Sequence, residues 1–340
     1  MSVPSLTDLV SGTHVVALPM RVRFRGTDCR EVLLLQGPAG WGEFGAFPEY
    51  GDLEASWWLA SAVEAAWYGW PEPLRHNVTV NATVPAVSPG EVAGVLAAFP
   101  GCTTAKVKVA EAGQAPADDA ARVAEVRTLL GPAARIRVDA NGAWDVETAV
   151  AALTALARHG LEYAEQPCAS LDEMRELRRR LAAAGTDVRV AADESIRKAD
   201  DPFRVAAADC VDLAVVKVPP LGGVRRTLAV AERLRAEHGL PVVVSSALDS
   251  GVGIAAGLAA AASLPDEPAA CGLATAGLFA RDVLVPPLVP SDGALPAGAR
   301  TPDPVALVDL AVAPERRAWW LDRVARCHTI LERRAGSSPW

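Results

Sequence analysis

The sequence predicts an α/β chain: a (β/α)8-type barrel, a modified TIM barrel, joined to an α+β N-terminal capping domain. Two observations carry this. From about residue 77, eight short apolar runs recur at intervals of roughly 25–30 residues, each leading into a helical stretch. They are Val78–Asn81, Ala105–Val109, Ile136–Asp139, Leu161–Glu165, Val188–Asp193, Leu213–Lys217, Val242–Ser246 and Ala270–Leu273. Strands alternating with helices argue for a parallel sheet, and eight such units suit a closed barrel of about 250 residues. The second observation concerns the residues just after the first run. A doubly wound open sheet would place a Gly-rich phosphate loop there; the chain has Val84-Pro85-Ala86-Val87 instead.

Ahead of the barrel, Val15–Leu18 and Glu31–Leu35 read as strands, with Gln36–Gly40 turning the second into Trp41-Gly42-Glu43. Asp52–Trp67 has helical spacing, and the tracts Met20–Gly26 and Phe44–Tyr50 read as loops. Residues 1–76 are therefore expected to form the capping unit, and 77–285 the barrel. Residues 286–304 form a Pro-rich linker, and 300–340 return to complete the cap with an amphipathic helix over Ala313–Arg334.

Composition narrows the function. The 340 residues are 51% hydrophobic with a formal charge of −8, enough for a large core and the wrong sign for a nucleic-acid surface. Six scattered cysteines without a C-x-x-C pair read as reduced thiols rather than a disulfide framework or zinc site. The N-terminus carries no basic stretch leading into an apolar run, and Gly251–Leu264 is too short to span a bilayer. A cytoplasmic enzyme with no nucleic-acid or membrane partner is the expectation, and the oligomeric state stays open.

Lysine usage points to the site. Lys and Arg together number 33, yet only Lys106, Lys108, Lys198 and Lys217 are lysines. A chain that favours Arg for surface charge keeps Lys where a titratable amine is needed. Lys106 and Lys108 are i and i+2 on one strand, so both project from one face. On the predicted barrel, Lys106 and Lys108 close strand two, Asp139 strand three, Glu165 strand four, Asp193 strand five and Lys217 strand six. All lie at the C-terminal ends, the face where such barrels do their chemistry. Each carboxylate alone could cap the next helix. Together, on adjacent strands, three hard oxygen donors suit Mg²⁺, with Mn²⁺ as a possible substitute. The lysines approach from opposite sides of the ring. Such a set fits removal of a proton α to a carboxylate, where a metal and ammonium groups offset the charge of an enediolate.

These residues resemble those of the enolase superfamily, in the branch with lysines on both sides of the site. The chain is most similar to the o-succinylbenzoate synthase family of actinobacterial type. The likeness extends through Phe24-Arg25-Gly26, Gly40–Phe44, Val80–Pro85, Ser245–Ser250 and Cys271–Thr275. It implies syn dehydration of 2-succinyl-6-hydroxy-2,4-cyclohexadiene-1-carboxylate to o-succinylbenzoate via an enediolate, a step of menaquinone biosynthesis. By the same likeness Lys108 is the base, Lys106 tunes it, Lys217 stabilises the enediolate, and Asp139, Glu165 and Asp193 hold the metal. Asn141 and Glu194 would support those ligands or cap helices. Ser245 and Ser246 would meet the small-molecule carboxylate substrate, and Met20, Arg25, Phe47 and Tyr50 would line the capping loops. The same two-lysine set also serves an N-succinylamino acid racemase or a dipeptide epimerase, and that alternative stands.

Overall fold

The structure is a computed structural model that describes residues 2–24, 26–197, 202–266 and 269–337. It is an α+β cap on a curled parallel sheet. Strands β1 (His14–Phe24), β2 (Thr27–Gly37) and β3 (Gly40–Phe44) form an antiparallel meander. In β2, Val32–Leu35 are buried on both faces of the sheet. The helix Asp52–Val63 packs on β3, and the last helix, Pro314–Ser337, packs on that helix. This return is pinned to β2, where Glu31 accepts hydrogen bonds from Trp320 Nε1 at 2.9 Å and Arg316 Nη2 at 2.6 Å.

Two sequence expectations change here. Met20–Phe24 is strand, not loop: Met20, Val22 and Phe24 are more buried than the intervening Arg21 and Arg23. That alternation of period two is a strand signature, which the Gly and Arg content of the tract obscures. Nor does Val78–Asn81 form the first barrel strand. Asn77–Thr79 (β4) pairs antiparallel with a strand inside the Pro-rich segment, Ala294–Pro296 (β12), and the barrel begins at Ala82–Val84 (β5).

From there β6 (Thr104–Lys108), β7 (Arg135–Asp139), β8 (Leu161–Glu165), β9 (Arg189–Ala192), β10 (Leu213–Lys217) and β11 (Val242–Ser245) lie side by side with β5 in one seven-stranded sheet. The eighth position is held by single bridges, Val80 to Cys271 and Ser245 to Gly272, both parallel. They link the sheet's two ends, so the fold is a barrel whose last stave is very short. Among the described residues no helix is long and apolar enough to cross a membrane.

Close packing of the cap depends on β3 lacking a side chain at Gly42. A Cβ there would run into the backbone carbonyl of Ala62 on the Asp52–Val63 helix. Gly42→Ala is therefore expected to destabilise the fold by about 1–3 kcal/mol, the usual cost of overpacking. A thermal melt checks this, and an unchanged midpoint would mean that the hairpin yields without cost.

Candidate active site

The strand ends place the charged side chains. On β6, Lys106 and Lys108 are the third and fifth residues, and β6 pairs with β7 so that Lys108 lies beside Asp139. Asp139 in turn lies beside Glu165 on β8, Asp193 comes immediately after β9, and Lys217 ends β10. All six side chains are buried. Burying isolated charges is expensive, so they pair. Lys106 Nζ sits 2.8 and 2.9 Å from the two oxygens of Glu165 and 3.3 Å from Asp139. Lys108 Nζ donates to Asp139 Oδ2 at 2.6 Å, and Lys217 Nζ to Asp193 Oδ2 at 2.5 Å.

The two lysines of β6 differ in environment. For Lys106, burial disfavours the charge, but the carboxylates of Glu165 and Asp139 outweigh it and hold the ammonium well above its ordinary value. For Lys108, burial and the positive charge of Lys106 prevail over Asp139, and its pKa falls below the ordinary value. On the acid side, burial pushes Glu165 up to about 7. It pushes Asp193 the same way, yet Lys217 and Arg197 hold that carboxyl at about 2. Burial likewise opposes ionisation of Asp139, but Lys108, Lys106 and Lys217 keep it well below the usual range.

A second layer orients the acids. Gln166 Oε1 accepts the backbone N–H groups of Asp193 and Ser195 at 3.0 and 3.1 Å, which fixes the turn after β9. Asn141 accepts from Lys108, and its backbone N–H donates to Asp139 Oδ1 at 3.1 Å. Its Nδ2 reaches Glu194 Oε1 at 3.2 Å. Arg197 clamps Asp193 at 3.1 Å and also donates to Glu194 and to the Tyr50 hydroxyl.

A small cavity of about 30 Å³ opens onto this cluster, lined by both lysines of β6, Lys217, Asp139, Asn141, Ser245 and Ser246. Phe24 closes it from the cap, with its ring centroid 5.4 Å from Lys108 Nζ. Thr83, Leu248, Gly272 and Thr275 complete the wall. Thr83 is buried with its hydroxyl unpartnered. Ser246 shares a hydrogen bond of 2.6 Å with Thr275, and Ser245 donates weakly to the Gly272 carbonyl at 3.4 Å. A larger cavity of about 450 Å³ lies at the opposite ends of the strands, beside Arg189, Leu213 and Val242. Its size does not make it the catalytic site, because the convergent charges are at the small one.

Three of the expected capping residues stay out of the cavity wall, although the Tyr50 hydroxyl accepts from Arg197 at 2.6 Å. Met20 makes an isolated bridge to Phe279. Phe47 and Tyr50 are buried within the cap, stacked edge-on to each other with ring centroids 5.7 Å apart. None of the three lines the cavity. Large aromatic rings in this tract are consumed by the cap's own core against Trp58. Arg25 lies outside the described residues. Conversely Phe24, Thr83, Leu248, Thr275 and Arg197 were not among the expected site residues. Phe24 was findable from the alternation of β1, and Arg197 from its place four residues after Asp193 in the helix Glu194–Arg197.

Comparison with known proteins agrees with this geometry. The chain matches the family described as Enolase C-terminal domain-like over residues 91–302 and Enolase N-terminal domain-like over residues 15–66. It is 56% identical over 335 residues to o-succinylbenzoate synthase of Mycobacterium leprae (strain TN), covering 98% of this chain and 96% of that one. The chain belongs to the o-succinylbenzoate synthase family of the enolase superfamily. The relative from Mycolicibacterium smegmatis is also 56% identical, over 97% of this chain and 99% of its own. Among solved structures, the muconate lactonizing enzyme from Pseudomonas fluorescens superposes with a TM-score of 0.73 at 21% identity. It covers 88% of this chain and 98% of its own. An N-succinyl Arg/Lys racemase from Bacillus cereus reaches 0.71 at 17% identity, over 88% of this chain and 97% of its own. These structural likenesses show the barrel-and-cap fold, and membership of the family makes the chain an enzyme.

The superfamily implies a divalent metal. Among the described residues no three acids, histidines or cysteines are gathered into a ligand set, because the three carboxylates are turned on to ammonium groups. The donor chemistry nonetheless fits: three buried carboxylates on adjacent strands, next to Glu194 Oε2, which is buried without a partner. Hard anionic oxygens of this kind suit a hard divalent cation and not a soft metal.

Proposed function

We propose that the chain is a Mg²⁺-dependent o-succinylbenzoate synthase of menaquinone biosynthesis, dehydrating 2-succinyl-6-hydroxy-2,4-cyclohexadiene-1-carboxylate. The observation that carries the reading is the placement of Lys108 and Lys217 around three buried carboxylates. Their strands stand four places apart in the sheet order, hence across the barrel from each other. The family relatives support the substrate.

Charge balance supports it too. Three carboxylates and three lysines neutralise one another in the buried cluster. Entry of a divalent cation with a substrate bearing two carboxylates would preserve that balance. The cavity is far smaller than such a substrate, so binding must draw the ammonium groups away from the carboxylates they now hold.

Asp139, Glu165 and Asp193 would hold the cation, whose chemistry is to offset charge growing on the ring carboxylate. Lys108 would take the ring proton α to that carboxylate, and Lys106 beside it would favour the neutral amine. In a syn elimination the hydroxyl leaves from the face that lost the proton. The Lys108 ammonium is then placed to return that proton to the departing oxygen, releasing water. Lys217, on the other face, would stabilise the enediolate as a fixed cation. Phe24 and Leu248 would pack the ring and exclude water, and the Thr83 hydroxyl is left for a substrate oxygen.

The test is aromatisation of the diene, monitored by ultraviolet absorbance. Turnover is expected in Mg²⁺ and is expected to stop in EDTA and return when Mg²⁺ is restored. Chelator-insensitive turnover would overturn the metal assignment, and no turnover would overturn the substrate. The opposed lysines also suit a 1,1-proton transfer, so in that case deuterium uptake into N-succinylamino acids is the next assay.

A further inference from the structure

Among the described residues, the interface between cap and barrel gathers three buried carboxyl groups around few cations. Glu43 on β3 is buried, and its Oε2 accepts the Ser250 backbone N–H at 3.0 Å and the Ser250 hydroxyl. Its other oxygen, Oε1, has no partner. Asp249, also buried, adjoins it: a Cβ on Gly253 would fall against both the Glu43 carboxyl and the Asp249 side chain. At the residue after Ser250, Asp282 accepts the Gly251 backbone N–H at 2.9 Å. Three carboxyl groups thus crowd the start of the helix Gly251–Ala262.

Among the described residues two cations face them. From β2, Arg30 donates to the Leu248 carbonyl at 3.2 Å and to the Gly45 carbonyl, and stacks 4.0 Å over the Phe47 ring. From β10, the strand beside β11, Lys217 acts on Asp249. The helix N-terminus supplies a partial positive charge. Three buried carboxylates against this set leave a net negative charge in a low-dielectric interface, which is relieved by holding a proton.

The backbone that these groups hold is the wall of the catalytic cavity. Ser245, Ser246 and Leu248 line it. Arg30 grips the carbonyl of Leu248, and Glu43 grips Ser250. We infer that Glu43 is a positioning residue that carries a proton at neutral pH and, in that form, clamps the Ser245–Ser250 segment to the capping hairpin in the shape that binds substrate. Ionisation of Glu43 sets a second buried anion against Asp249 and loosens the clamp. This builds on the proposed substrate reading.

The electrostatics agree in direction. Burial, then the charge of Asp249, pushes Glu43 up to about 8 against the opposing pull of Ser250 and Arg30. Burial raises Asp249 also, and raises Asp282 to about 6. A carboxyl raised from 4.5 in the unfolded chain contributes stability that is complete below 4.5 and is lost as pH climbs towards 8.

The experiment compares the native protein with Glu43→Gln between about pH 6 and 9.5, a range that brackets the raised carboxyl. It records melting temperature and the affinity for o-succinylbenzoate in saturating MgCl₂. Gln keeps a carbonyl for Ser250 and stays neutral throughout. Native affinity is expected to weaken about tenfold from pH 7 to 9, as the protonated, competent fraction falls to about a tenth. The Glu43→Gln affinity should change less than about threefold over the same range. Its melting temperature should fall less with pH and exceed the native value at high pH. Glu43→Ala, which cannot hold Ser250, should bind weakly at every pH. Identical pH slopes for the native protein and Glu43→Gln would overturn the inference. A flattened melting profile with no product binding by either protein would uphold the buried proton while sinking the substrate reading.

Discussion

Lys108→Ala is expected to lower kcat for dehydration by at least about 10³-fold, within the range assigned to a positioned acid–base group. The argument is geometric. Lys108 ends β6 at the cavity wall, with Phe24 of the cap 5.4 Å from its amine, and in the proposed reaction it both removes the proton and returns it. Among the described residues the other two site amines are engaged, Lys106 by both oxygens of Glu165 and Lys217, on the opposite side of the barrel, by Asp193 Oδ2. The fold should survive, since Asp139 keeps the Lys106 ammonium at 3.3 Å and the Asn141 N–H at 3.1 Å. Circular dichroism and a melt establish that, and Lys108→Met, which restores the apolar stem, guards against collapse of the wall. Turnover within about tenfold of native in either folded variant would remove Lys108 from the base role.

Asp193→Asn should weaken Mg²⁺ binding by at least about 100-fold. Changing even an outer-sphere partner commonly costs about 10–100-fold, and here a proposed direct ligand would lose its charge. Titration calorimetry with Mg²⁺ measures it, and a midpoint within about threefold of native would place the metal elsewhere. This variant also removes the shared anion of Lys217 at 2.5 Å and Arg197 at 3.1 Å. Leaving two buried cations under-compensated should cost stability by about 3–5 kcal/mol. Excess MgCl₂ is expected to restore part of the turnover but none of the lost stability of the metal-free protein, which separates the two effects.

Much of this is legible in the chain itself. The apolar runs, the change from mixed to periodic pattern near residue 77, and six charged residues towards the ends of five of those runs point to a barrel and to the face that holds the candidate site, although the first run leaves the ring and the last contributes only single bridges. That works because successive parallel strands are joined by right-handed crossovers, usually helical, so position along the chain translates into position around the ring. Scarcity of lysine in an Arg-rich chain singles out the amines by composition alone.

Other features depended on packing that no local pattern encodes. Val78 was apolar enough to be a barrel strand, yet tertiary pairing with Ala294–Pro296 removed Asn77–Thr79 from the ring. Phe47 and Tyr50 had the right chemistry for a lid, but the cap needed their rings for its own core. Phe24 faces the Lys108 amine only because β1 runs on past Pro19 with alternate side chains inward. The acid cluster at Glu43, Asp249 and Asp282 is the extreme case. Glu43 and the Ser250 that it holds are 207 residues apart along the chain and meet only where the cap closes on the barrel. Strand order and strand-end chemistry are properties of local sequence. Which side chain fills which space, and which buried carboxyl keeps its proton, depends on neighbours brought from afar, and only the tertiary structure decides that.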